Sequence, residues 1–137
     1  KLCLVSTKHQ ARNSKQMIIN KSQNSKQYDL EERTLQFAKQ ARVFVKKIPK
    51  SIQNIEDGKQ LIRASGSIGA NYIEANESLS KKDFVHRIKI SRKEAKESAY
   101  WLQLIETSSQ LQIQQKQLLQ EATELMKIFS AIMRKSN

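Results

Sequence analysis

The chain has 137 residues, of which 3 are glycine, 1 is proline and 1 is cysteine. This length suits one domain with a modest core, and so few glycines and prolines predict long uninterrupted elements. One cysteine excludes an internal disulfide, and no apolar run approaches the roughly 18 residues of a membrane span. We therefore expect a cytoplasmic protein that has no membrane partner.

The formal net charge is +12, from 25 basic and 13 acidic side chains. Such a balance favours a polyanionic partner, either RNA or DNA or an acidic membrane surface, and of these we expect nucleic acid. Residues 1–27 contain basic but no acidic side chains, and we predict a poorly ordered basic arm there, followed by a helical domain over residues 28–137. The arm is either a nucleic-acid-binding tail or a plain disordered end. Met17 is a candidate natural start.

The first predicted helix covers residues 29–48. Its inward-facing side chains recur every three or four residues, as in the seam of a packed helix. They are Leu30, Thr34, Phe37, Ala41, Phe44 and Ile48. Asp29 is the expected N-cap and Pro49 ends the helix.

The stretch "SGSIGANYIEA", residues 65–75, holds two of the three glycines. Its G-x-x-G spacing lacks the Lys-Ser/Thr pair and the preceding strand of a phosphate-binding loop. Two apolar rows keep the helical period through it, which indicates a helix interior. Gly66 and Gly69 would then let another backbone, or a large side chain such as Trp101 or Phe37, pack closely.

A polar row follows the same helix. Arg63, Ser67, Asn71 and Glu74 step by 4, 4 and 3 residues and therefore share one face. Glu94 and Glu97 on the third helix are their expected partners. Two interpretations stay open: a buried polar network that sets the register of helices or subunits, and a binding site for a ligand or nucleic acid.

The third helix is predicted from Ser80, its N-cap, with Asp83 three residues on, to about Thr107. "TSSQ" is expected to cap a fourth helix that runs to about Lys135. No segment of the domain alternates with period two. The predicted fold is all-α, an antiparallel up-down-up-down four-helix bundle.

The third helix also carries the strongest binding signal. Six cations and no acid fall within an arc of about 120° on its helical wheel. They are Lys81, Lys82, Lys89, Arg92, Lys93 and Lys96. Lys46 and Lys47 form a second cluster, and Tyr100, at the C-terminal end of the arc, is placed to stack on a base. An ordinary solvated helix face is the alternative interpretation.

Ile90 and Trp101 lie on the other side of this helix from its main apolar row. An incompletely buried tryptophan is typical of a subunit interface. Partial burial against the thin second helix is the alternative.

No arrangement of residues indicates catalysis, a metal or a cofactor. His86 has no ligand pair on its face, His9 and Cys3 lie in the predicted arm, and the E-x-x-H repeats of di-iron bundles are absent. We expect a protein that is not an enzyme.

Residues 60–105 resemble the bacterial four-helix-bundle family encoded in intervening sequences of 23S ribosomal RNA genes. The most specific segments are "SIGANYIEA", "KKDF" and "KEAKESAYWL", and Tyr72 departs from the small or aliphatic side chain usual in the family. The resemblance extends more loosely over residues 28–135. It implies a ring-like homopentamer without accepted enzymatic activity. It also implies kinship with the accessory protein of diversity-generating retroelements, and hence nucleic acid or a protein such as a reverse transcriptase as partner.

Overall fold

The computed structural model describes the backbone of residues 14–136 and the side chains of residues 29–136. It contains four α-helices and, within these residues, no strand, which confirms the predicted all-helical class. The helices are α1 (Ser14–Lys47), α2 (Ile52–Asn76), α3 (Lys81–Leu104) and α4 (Gln112–Ser136), with a 3-10 turn at Ser109–Leu111. Over the same residues, each helix is too short or too polar to cross a bilayer.

The chain divides into two compact units, Lys1–Leu30 and Glu31–Asn137. The first is described only by the helical backbone from residue 14, and by the side chains of its last two residues. Residues 1–13 of the predicted arm, with Cys3 and His9, lie outside the described residues. Poor order over residues 1–27 stays a prediction.

Helix α1 begins at Ser14 rather than at Asp29, so Asp29 lies inside the helix and does not cap it. The added segment, "SKQMIINKSQNSKQY", has no apolar periodicity, which is why the predicted helix begins too late. It also has no proline or glycine, so nothing in it interrupts a helix.

A serine is the N-cap of each of the next two helices. The Ser51 hydroxyl accepts a hydrogen bond from the backbone N–H of Asn54 at 3.1 Å. The Ser80 hydroxyl accepts one from Asp83 at 3.0 Å, which confirms the predicted N-cap. Each bond satisfies one of the free N–H groups of a helix start and stabilises it by about 1 kcal/mol.

Helix α3 ends at Leu104, earlier than the predicted Thr107. The Gln115 amide donates to the backbone oxygens of Leu102 at 2.7 Å and Ile105 at 2.8 Å. A side chain of α4 therefore satisfies carbonyls that another helical turn would have used. Ser108, in the predicted "TSSQ" cap, makes no side-chain capping bond.

The core of the second unit consists of the apolar rows that the spacing predicted. Every helix contributes side chains with almost no solvent exposure, and burying each one stabilises the fold by about 1.5–3 kcal/mol. They include Phe37 and Phe44 of α1, Leu61 and Ile68 of α2, Ile88 and Leu102 of α3, and Leu125 and Phe129 of α4.

Arg33 links α1 to α4 on the protein surface. Its Nε lies 2.7 Å from Glu121 Oε2, and its Nη2 lies 2.8 Å from Glu121 Oε1 and 2.9 Å from Glu124 Oε1. The hydrogen bond to Glu121 raises the pKa of Arg33 above its ordinary value. Bidentate pairing fixes the geometry of the contact as well as contributing energy.

Asn54 joins two connections at one end of the bundle. Its Nδ2 donates to the backbone oxygens of Pro49 at 2.9 Å and Glu106 at 2.7 Å, and its Oδ1 accepts from the Glu106 N–H at 3.1 Å. The C-terminal ends of α1 and α3 therefore lie at the same end of the second unit.

Candidate nucleic-acid interface

The six cations of α3 follow one side of the helix, and we refer to Lys81, Lys82, Lys89, Arg92, Lys93 and Lys96 as the α3 stripe. Five of them are exposed and Arg92 is half-buried. At about 1.5 Å of rise per residue the stripe is about 22 Å long. It is long enough to meet several successive phosphates.

The core packing of α3 explains why the stripe faces water. Ile88, Ala95 and Leu102 are completely buried, and their row is centred about 120° from the middle of the stripe on the helical wheel. Because the apolar row fixes the rotation of the helix, the cations are held outward on a rigid element.

Lys93 is the one cation of the stripe with an ion pair among the described residues. Its Nζ lies 3.6 Å from Glu97 Oε2. A pair this exposed is worth about 0–1 kcal/mol, so it leaves Lys93 free to exchange Glu97 for a phosphate at little cost.

The second predicted cluster lies at the C-terminal end of α1. Lys46 and Lys47 occupy the last turn of the helix and are exposed. Since Asn54 brings the ends of α1 and α3 to one end of the unit, these lysines lie at the same end as Tyr100.

Tyr100 and Trp101 meet edge to face at that end of the stripe, with ring centroids 5.2 Å apart. Tyr100 is 55% exposed. Trp101 and Ile90 are half-buried in the single chain, so the subunit interface predicted for them stays a prediction. Within the described residues the buried Trp101 Nε1 has no hydrogen-bond acceptor.

Arg63 of the predicted polar row lies between the two acids of α3. Its Nη1 is 3.5 Å from Glu94 Oε1 and its Nη2 is 3.3 Å from Glu97 Oε1. The Ser67 hydroxyl donates to the Arg63 carbonyl at 2.9 Å, and the Asn71 amide donates to the Ser67 carbonyl at 2.9 Å. The structure therefore brings these five residues together.

Two members of this region differ from the prediction. Arg87, which was not among the predicted members, donates to Asn71 Oδ1 at 3.1 Å. Glu74 is exposed, and its backbone carbonyl accepts hydrogen bonds from the Ser78 hydroxyl and the Glu77 N–H, each at 3.2 Å. Glu74 shares the helix face of the row but not its contacts across to α3.

Glu94 is the most buried acid of this network, with 8% of its side chain exposed. Among the described residues its Oε1 has no hydrogen bond, because the 3.5 Å contact with Arg63 is an electrostatic contact rather than a well-formed hydrogen bond. A carboxylate this buried depends on its partner, because removing Arg63 would leave an uncompensated buried charge.

Gly66 and Gly69 both face α1. A Cβ atom at Gly69 would lie 2.8 Å from Thr34 Oγ1 and 3.2 Å from Thr34 Cβ, and one at Gly66 would lie 3.3 Å from Arg42 Nη2. The residues opposite are therefore Thr34 and Arg42 of α1. Of the two predicted alternatives, the glycines face a neighbouring helix and not the large side chains Trp101 or Phe37. Neither glycine has a positive φ, so close approach and not backbone freedom explains Gly69.

No group of three or more potential metal ligands occurs among the described residues. His86 is exposed on α3. That the protein has no enzymatic activity, no cofactor and no metal site stays a prediction.

Comparison with known proteins supplies the family. The model of the 23S rRNA-intervening sequence protein family matches residues 26–131. A crystal structure of a protein of unknown function, from the S23 ribosomal protein family of Bacteroides thetaiotaomicron VPI-5482, is similar. Its identity is 28% and its TM-score 0.61, over 76% of this chain and 97% of that one. No curated protein matches. The chain belongs to the 23S rRNA-intervening sequence protein family.

Proposed function

We propose that this member of the 23S rRNA-intervening sequence protein family is a non-enzymatic protein that binds RNA or DNA through backbone phosphates. We place it in the cytoplasm. The α3 stripe carries the proposal, because ordinary solvated helix faces mix charges of both signs and this one holds six cations without an acid.

The recognition chemistry follows from the side chains present. Lysine ammonium groups on flexible stems meet phosphates as point charges, and contacts with phosphates position a protein without reading sequence. Each neutralised phosphate releases counterions, so binding weakens steeply with salt. We therefore propose weak sequence preference, with Lys46 and Lys47 extending the contact at the end of the bundle.

We propose an antiparallel up-down-up-down arrangement for the four helices. Pairs of residues in contact between neighbouring helices support this arrangement, because the residue numbers rise along one helix of each pair as they fall along the other. The pairs are Thr34–Gly69 and Val45–Gly58 between α1 and α2, and Arg63–Glu94 and Asn71–Arg87 between α2 and α3.

A ring-like homopentamer is the assembly we propose, as the family resemblance implies. Two exposed isoleucines of α2 support contact between copies, because Ile73 and Ile55 stay 42% and 47% exposed. Ring symmetry would repeat the α3 stripe so that modest contacts add by multivalency.

Light-scattering mass tests the ring. Ile73→Glu is expected to lower the mass below that of the unaltered chain, since it places a charge in the contact. Ile113→Glu changes a more exposed isoleucine of α4 and should leave the mass unchanged. A monomeric unaltered chain, or an Ile73→Glu variant with full mass, would remove Ile73 from the proposed contact.

Binding itself is tested by fluorescence anisotropy with a labelled mixed-sequence RNA. The stripe variant is Lys82→Glu/Lys89→Glu/Lys96→Glu, which spares half-buried Arg92 and the Lys93–Glu97 pair. The matched control is Lys39→Glu/Lys116→Glu/Lys127→Glu, three exposed lysines of α1 and α4 with the same change in net charge.

We expect the stripe variant to lose binding that the control variant largely retains. Equal losses in both variants would mean that only net charge matters, and would contradict a localised interface. No binding by the unaltered chain at low salt would overturn the proposal and favour an adaptor that docks another protein, such as a reverse transcriptase.

A further inference from the structure

Among the described phenylalanine, tyrosine and tryptophan residues, Tyr100 is the one that is exposed. It lies four residues after Lys96 and seven after Lys93, so it continues the α3 stripe on the same side of the helix. Its side chain is 55% exposed. A large exposed ring among cations requires an explanation that the core does not provide.

The ring is held in place by its neighbour. Trp101 is half-buried and meets Tyr100 edge to face at an interplanar angle of 74°. Such pairs are worth about 0.5–1.5 kcal/mol beyond the area they bury. Tyr100 therefore presents a pre-oriented aromatic surface to solvent, which lowers the entropy cost of stacking a ligand on it.

The surrounding charge selects the ligand. A second copy of this chain would bring the same net charge of +12 against six cations of which only Lys93 is paired with an acid among the described residues, and like charges disfavour that contact. Nucleic acid supplies both phosphates for the lysines and flat rings for the tyrosine. In a duplex the base faces are already stacked, whereas unpaired bases stack on exposed aromatic side chains.

We propose that Tyr100 stacks on an unpaired base of a strand whose phosphates follow the α3 stripe, so that the protein prefers single-stranded or looped nucleic acid to duplex. This inference rests on the proposed function and names its substrate class. The lysines contribute affinity that depends on salt, and Tyr100 contributes the preference for unpaired bases.

The test compares one labelled RNA strand of mixed sequence, free of hairpins, with the same strand in a perfect duplex. We expect the unaltered chain to bind the single strand more than about 5-fold tighter, which corresponds to the lower limit of base–aromatic stacking. Tyr100→Ala and Tyr100→Leu should lose that preference, and Tyr100→Phe should keep it. A strand without bases should bind the unaltered chain as weakly as it binds the Tyr100→Ala variant.

Two further measurements separate stacking from structural damage. Tyr100→Ala should leave the salt dependence of binding unchanged, because no phosphate contact is lost. Trp101 is the only tryptophan in the chain, so its fluorescence should change when single-stranded RNA is added to the unaltered chain. The same fluorescence in the unliganded variants checks that the packing of Trp101 survives.

The outcomes distinguish this inference from the function beneath it. Equal affinity for single strand and duplex, or a preference that survives Tyr100→Ala, would overturn the role of Tyr100 while salt-dependent binding by the stripe stands. Absence of binding to either RNA would overturn both.

Discussion

Gly69→Ala should destabilise the protein even though alanine is the better helix former. The added Cβ would lie 2.8 Å from Thr34 Oγ1, 3.2 Å from Thr34 Cβ and 3.8 Å from the Thr34 carbonyl carbon. Thr34 is 1% exposed, and its hydroxyl donates to the Glu31 carbonyl at 2.9 Å. It cannot rotate away freely, so α1 and α2 must separate.

The magnitude follows from two opposing effects. Overpacking a filled site costs about 1–3 kcal/mol, and a contact with a buried β-branched side chain belongs in the upper half of that range. Replacing a helical glycine by alanine returns about 1 kcal/mol. The net loss is therefore about 1–2 kcal/mol.

Gly66→Ala is the matched control on the same helix. Its Cβ would meet only the end of the Arg42 side chain, at 3.3 Å, and an exposed guanidinium can move aside. We expect a gain of about 0.5–1 kcal/mol from helix propensity alone. Urea unfolding at one fixed protein concentration measures both variants.

The double variant Thr34→Ala/Gly69→Ala isolates the contact. Removing the Thr34 hydroxyl and methyl relieves the shortest approach, so the two changes together should cost less than the sum of their separate costs. Additive costs, or a Gly69→Ala variant as stable as Gly66→Ala, would refute close α1–α2 packing as the reason for the glycine.

Three further predictions concern stability. Asn54→Ala removes both carbonyl partners and the Glu106 N–H partner, and should cost about 2–3 kcal/mol in urea unfolding, whereas Gln53→Ala at the exposed neighbour should be neutral. Hydrogen bonds from Gln120, the larger effect, and from Arg33 lower the pKa of Glu124 below its ordinary 4.5. The stability that ionised Glu124 contributes is therefore complete above pH 4.5 and is lost as the pH falls. Glu124→Gln should lose less stability in acid than the unaltered chain does. Burial raises the pKa of Tyr72 above its ordinary 10.0, so the stability that the neutral Tyr72 side chain contributes below pH 10.0 is lost as the pH rises. A Tyr72→Phe variant that loses as much stability at alkaline pH as the unaltered chain would contradict this.

The core rows could be predicted because a seam residue leaves a periodic signal in its own helix. Phe37 and Phe44 fall on one row seven residues apart, and the structure buries both. The Ser80 cap was equally local, since it depends on residues within one turn. The start of α1 was missed because a polar helix without an apolar face leaves no such signal.

Contacts between helices were less predictable. The Arg63 row and its acidic partners could be proposed from spacing, but Arg87 pairs with Asn71 from another helix, and nothing in its own neighbourhood marks it. Asn54 did leave a signal, because it is a polar residue seven positions before Leu61 on the buried row of α2. The facing partners of the glycines depend on how α1 and α2 are rotated, which composition does not determine.

The salt dependence of RNA binding tests the central claim most directly. With about five phosphates neutralised per chain, the logarithm of affinity for single-stranded RNA should fall with the logarithm of salt concentration with a slope of about −3 to −4. Lys82→Glu/Lys89→Glu/Lys96→Glu should make that slope shallower by about 2, and the Lys39→Glu/Lys116→Glu/Lys127→Glu control should leave it nearly unchanged. A slope near zero, or one that the stripe variant does not alter, would contradict phosphate binding by α3.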